Sequence, residues 1–189
     1  MKLKIEIKNR WTGNVIFEFE TENNTIAKTV AEYIRQETEA GKYRADLTDA
    51  DLTDANLTRA NLTRANLTYA NLTDADLTVI KNDMFLVLLN AIPEVSFLKQ
   101  NIIEGKINGS TYDGECACLS GTLHNGATLH NGENEQKIKK QIIDCRDSGR
   151  PIERFFLAIK KGDTPENSQF SKLALEWIEH FESLIAFAK

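Results

Sequence analysis

The chain has 189 residues, 27% of them charged and 41% apolar, with a formal net charge of -5. This length allows one or two domains with a sizeable core, and the mild acidity argues against general nucleic-acid binding. No apolar run approaches the ~20 residues of a membrane span and the N-terminus MKLKIEIK has no leader-like core, so a cytoplasmic location is expected.

Lys2 to Lys8 alternates charged and apolar residues, the pattern of a half-buried strand. Asn9-Arg-Trp-Thr-Gly-Asn14 carries turn chemistry and Val15 to Glu20 is β-rich, so the two runs predict a hairpin. Asn24 or Thr25 can cap a helix that buries Ile26, Val30 and Ile34 and stops at Gly41.

From Ala45 to Val79 the chain reads ADLTD ADLTD ANLTR ANLTR ANLTY ANLTD ADLTV, seven five-residue units in tandem. On a helix a five-residue period scatters Leu47, Leu52, Leu57 and Leu62 around the axis. In a straight strand an odd period sends successive leucines to opposite faces. Ala and Leu can both point inward only if the chain turns a corner once per unit, with four corners closing a coil of twenty residues. The prediction is a square solenoid, a small β-helix. Residues twenty apart then stack about 4.8 Å apart. Asp46 falls over Asn66, Asp51 over Asn71 and Asn56 over Asp76, which keeps like charges apart, while Asp54 over Asp74 is an exception. Seven units make fewer than two coils, so the ends need covering by the rest of the chain.

Asp83 to Ala91 is strongly apolar and Pro93 can open a second short helix through Ile103, a candidate upper cap. Gly105 to Gly132 is rich in Gly, Asn, Ser and Thr, with a TLHNG duplication, and reads as a strand or loop followed by an exposed loop. Glu133 to Ser148 and Pro151 to Ile159 read as helices. Thr164, Pro165 and Glu166 read as the cap and first turn of a last helix. The expected organisation is a ββα cap over 1–44, the β-helix over 45–79, a helical cap over 80–104 and a mainly α-helical domain over 105–189. This makes the fold class α+β.

The A(D/N)LXX repeat resembles the pentapeptide-repeat family, and the resemblance implies a right-handed, four-sided β-helix with Leu central on each face. The segments KNRWTGNVIF (8–17), GECACLSGT (114–122), RPIERFF (150–156) and GDTPEN (162–167) make nearly the whole chain similar to phage and prophage members of that family. That resemblance implies a phage-related origin in a bacterial host and supplies no activity. Some long members imitate B-DNA and inhibit gyrase, but two coils span only about 10 Å, and their columns mix Arg59, Arg64 and Tyr69 with acids.

The C-terminal residues are compatible with three chemistries. Cys116, Cys118, His124 and His130 offer zinc-type ligands, but Cys-x-Cys is tighter than the usual zinc spacing, and buried structural cysteines are favoured. Cys118 as a nucleophile would need a depressed pKa and a base. Arg150, Arg154 and Lys160, with Gly121, Thr122, Trp177 and the helix start at Thr164, could form an anion-binding corner. The leading expectation is a non-enzymatic accessory protein that blocks or sequesters a host protein or a small nucleotide-like ligand, with no cofactor, no metal, and possible homo-oligomerisation. The alternatives are a protein–protein module using the solenoid faces and a cysteine- or metal-dependent enzyme.

Overall fold

The structure, a computed structural model, describes residues 1–42, 45–57, 62, 65–67, 69–73, 75–111, 117–129 and 150–187. The chain divides into two compact units, Met1–Ile80 and Lys81–Lys189. Among the described residues no helix is long and apolar enough to cross a membrane.

In the first unit, β1 (Lys2–Asn9) and β2 (Val15–Glu22) form the predicted antiparallel hairpin, with Ile7 opposite Phe17 and an irregularity between Ile7 and Lys8. Helix α1 (Ile26–Glu39) starts where Thr25 Oγ1 accepts the Lys28 N–H at 3.2 Å, and Gly41 follows it at φ +76. It buries Val30 and Ile34, and Tyr33 stacks on Phe17 at 4.8 Å.

The repeat folds as the five-residue period requires. Leu47, Leu52, Leu57, Leu62, Leu67, Leu72 and Leu77 are all buried, as are Ala45, Ala50, Ala55, Ala65 and Ala70. Strand β3 (Ala45–Asp46) pairs in parallel with β5 (Ala65–Asn66), while Asp51 bridges to Asn71 and Asn56 to Asp76, so successive coils are twenty residues apart. Corner residues Asp49, Asp54 and Tyr69 take positive φ of 56–58°. Strand β4 (Ala50–Asp51) pairs with the free edge of β1 through Lys8↔Asp51 and Asn9↔Ala50, so the hairpin is sewn directly onto the first coil. The Asp54–Asp74 exception cannot be followed, because Asp74 lies outside the described residues.

The outward Asp/Asn columns are a hydrogen-bonded ladder. Asn66 Nδ2 donates to Thr48 Oγ1 at 2.9 Å and Asp46 Oδ1 at 3.3 Å, and Asn71 Nδ2 to Thr53 Oγ1 at 2.7 Å and Asp51 Oδ1 at 3.5 Å. Asn71→Asp removes these donors and stacks a carboxylate on Asp51. It is expected to cost about 1 kcal/mol at pH 7. Denaturant titration should show most of that loss recovered, relative to the parent, near pH 4.

Helix α2 (Thr78–Leu89) begins inside the last repeat, earlier than the predicted Asp83, and the boundary between the units falls within it. In the second unit a 3-10 turn (Ile92–Glu94) carrying Pro93 leads into α3 (Val95–Ile103). The segment predicted as an exposed loop is instead α4 (Leu119–Leu129), burying Leu119, Leu123 and Ala127 at four-residue spacing. Glycine misled the reading: a Cβ on Gly126 would sit 2.9 Å from the Phe97 ring, so this glycine permits close helix packing instead of marking a loop. Helix α5 (Pro151–Phe156) and α6 (Gln169–Phe187) complete the unit, with Phe155 packed 5.2 Å from Phe170 and 4.8 Å from Trp177, ring to ring. The helix predicted over 133–148 lies outside the described residues.

Candidate functional site

The predicted anion corner exists at the start of α5, but the anion on it belongs to the chain. Arg150 precedes Pro151 and extends its guanidinium to Asp83 of α2, with Nη2 at 2.5 Å and Nε at 3.2 Å from Oδ1. The other carboxylate oxygen accepts the Ile152 N–H at 3.1 Å. Both features that attract an anion, an arginine fork and an open helix end, are thus directed at one internal carboxylate.

Four of the remaining residues of that corner, Gly121, Thr122, Arg154 and Trp177, are buried. Gly121 and Thr122 lie in the buried first turns of α4, not in a turn, and the Thr122 hydroxyl donates to Ala117 O at 3.0 Å. Arg154 and Trp177 are buried, the latter against Phe155. Glu153, next to Arg154, is buried and accepts a hydrogen bond from the Ser120 hydroxyl. Burial pushes its carboxyl up to about 7, against the opposing pull of the Ser120 hydroxyl and N–H and the charge of Arg150.

Thr164 does not cap the last helix. It begins an isolated turn in which its own N–H donates to Asn167 Oδ1 at 2.8 Å, and Asn167 Nδ2 donates to Gly162 O at 3.1 Å. Ser168 opens α6 instead, through a long 3.4 Å hydrogen bond from Ser171 N–H to its hydroxyl. Lys160 is exposed, with its N–H bonded to Asp163 Oδ2 at 2.9 Å. The GDTPEN segment therefore closes on itself.

Of the zinc-type residues, Cys116 and His130 lie outside the described residues, Cys118 is buried and His124 is half-buried on α4. Among the described residues no three His, Cys, Asp or Glu side chains come together as a metal site.

A second cluster, which the sequence reading did not single out, lies wholly within the first unit. The hairpin tip crosses the corner column formed by Asp49 and Tyr69. Arg10 N–H donates to Asp49 O at 2.8 Å and its Nη1 to Tyr69 O at 3.2 Å. Trp11 Nε1 donates to Asp49 Oδ1 at 3.3 Å, and the Arg10 guanidinium lies 4.4 Å from the centre of the Trp11 ring. The Asn9 side chain accepts the Trp11 and Thr12 N–H groups, and Gly13 takes φ +71 to complete the turn. Trp11 is nevertheless 71% exposed and Tyr69 51% exposed. Asp51 is near enough to the same arginine to feel its charge. Its carboxyl is held below the ordinary range first by the Thr53 hydroxyl, then by the Thr53 N–H, with a further contribution from the Arg10 charge. The available signal was a Trp in a turn and a Tyr at the fifth position of a unit, where the other units carry Asp, Arg or Val, but only the twenty-residue register brings positions 10, 11, 49 and 69 together.

A family model described as Pentapeptide repeats matches residues 43–78 in 8 copies. The chain carries a pentapeptide-repeat segment. The match starts two residues before Ala45 and counts eight copies where the sequence reading counts seven units. The pentapeptide repeats account for the β-helix-like solenoid and its corner at Tyr69, while the hairpin tip and the GECACLSGT, RPIERFF and GDTPEN segments lie outside the match. No curated protein and no solved structure matches the chain.

Proposed function

We propose that this chain is a non-catalytic, phage-type accessory protein that blocks a component of a bacterial host by protein–protein contact through its pentapeptide-repeat unit. The observation that carries the reading is the exposed Trp11, held by Asp49 and stacked with Arg10, beside the exposed Tyr69. Trp, Tyr and Arg are the side chains that dominate binding energy at protein interfaces. Holding Arg10 and Trp11 in place before contact saves roughly 0.5–1.5 kcal/mol for each side chain that need not be ordered on binding.

The same comparison weighs against a phosphate-bearing ligand at Arg150. Such a ligand would have to displace Asp83, which already takes the arginine fork and the Ile152 N–H. The test is photo-crosslinking in host cells from position 69, with position 161 in the second unit as the control. A discrete protein adduct from position 69 supports the reading.

A further inference from the structure

Tyr69 sits at φ +58, the left-handed region, where the other described corners of positive φ carry Asp49 and Asp54. Aspartate enters that region at little cost because its short side chain can bond locally, whereas a bulky aromatic is strained there. Tyr69 lies stacked one coil above Asp49, and that strain is retained at a residue half exposed to solvent. Strain kept at an exposed aromatic points to use of the side chain outside the fold.

The electrostatics of the cluster select the occupant. Asp49 accepts from the Trp11 indole N–H beside Arg10, and Asp51 is near enough to Arg10 to feel its charge, so two carboxylates accompany one guanidinium. With the chain at net charge -5, a phosphate-rich partner is repelled at close range and a cationic one attracted. We infer that the hairpin tip and the Tyr69 corner form a recognition hot spot for a protein that presents an apolar or aromatic side chain flanked by lysine or arginine. This rests on the protein-binding reading above and adds the side chains that make the contact and the chemistry they meet. The exposed Trp11 ring takes the apolar group; Asp49, bonded to its indole N–H, and Asp51 near Arg10 meet the flanking cations.

The experiment selects random displayed peptides against the full chain and measures synthetic copies of the enriched ones by titration. Lys/Arg-flanked apolar sequences are expected. Their Kd should weaken at least tenfold in Trp11→Ala and in Tyr69→Asn, with no change in Asn56→Tyr on another outward column. Because Asn suits a left-handed corner, Tyr69→Asn should melt at or above the parent's temperature, which separates lost contact from lost fold. Peptides that survive both Trp11→Ala and Tyr69→Asn but are lost in Asn56→Tyr would overturn the hot spot while leaving the protein-binding reading intact. Enrichment of acidic peptides, a Trp11-dependent dimer in sedimentation, or Trp11 quenching by an oligonucleotide would overturn the assigned partner. Absence of any enriched peptide that depends on the first unit would overturn both.

Discussion

Deleting residues 1–40 is expected to leave the repeat segment insoluble or molten. The hairpin and α1 contribute Ile7, Val30 and Ile34, all buried, and β1 supplies the strand partner of Ala50 and Asp51. Full burial of such side chains stabilises by about 1.5–3 kcal/mol each. Three together approach the ~5–15 kcal/mol by which a whole domain is stable. The deletion also uncovers Leu47 and Leu52 and leaves the β4 edge unpaired, which invites edge-to-edge aggregation. Fewer than two coils of pentapeptide repeats have little internal stacking with which to offset this. Near-UV circular dichroism and a melting curve check it; a soluble product that melts cooperatively contradicts the dependence of the solenoid on its N-terminal elements.

The second large effect concerns Glu153. Its carboxyl rises from 4.5 in the unfolded chain to about 7 in the fold, because burial disfavours its charge. Below about pH 4.5 both states hold the proton. Between 4.5 and about 7 only the folded state does, so stability from this group is lost as pH rises through that window and stays lost above it. The groups that act on it are Ser120, which donates to it, Arg150, which favours its charge, and Asp83, which opposes it. Glu153→Gln imitates the protonated form and keeps an acceptor for the Ser120 hydroxyl. The variant should therefore match the parent near pH 4.5 and exceed it at pH 8 by on the order of 3 kcal/mol, about 1.4 kcal/mol for each pKa unit. Denaturant unfolding across pH decides it. A variant less stable than the parent at pH 8 would mean that the ionised carboxylate is held by a cation, and that the RPIERFF segment carries a working charge.

The parts of this fold that were legible in sequence are those in which one residue pattern admits one solution. Leucines every fifth position can be buried together only by a chain that corners, so the solenoid and the pairing of Asp46 with Asn66 followed from arithmetic. The alternation in β1 was equally direct, and of the two caps the sequence offers for α1, Asn24 and Thr25, the fold uses Thr25. Where local composition competes with tertiary packing, the reading failed. Gly121 and Gly126 suggest a loop until the Phe97 ring is placed against α4, and the Thr-Pro-Glu run suggests a helix cap until Asn167 folds back on Thr164.

The candidate sites divide along the same line. The arginine corner was recognised from chemistry that does operate in the molecule, since Arg150 and the Ile152 N–H do hold an anion. Sequence does not reveal that Asp83, 67 residues upstream, is that anion. The hairpin-tip cluster depends on residues 59 positions apart, as Arg10 and Tyr69 are, and only the coil register joins them.

The measurement that bears most directly on the function is photo-crosslinking in host cells from a benzoylphenylalanine placed at position 69. A single protein adduct is predicted from that position. It should disappear when Trp11→Ala is added and should have no counterpart from position 161. Absence of any adduct from position 69, or the same adduct from position 161 regardless of Trp11, would contradict a protein contact made through the pentapeptide-repeat unit.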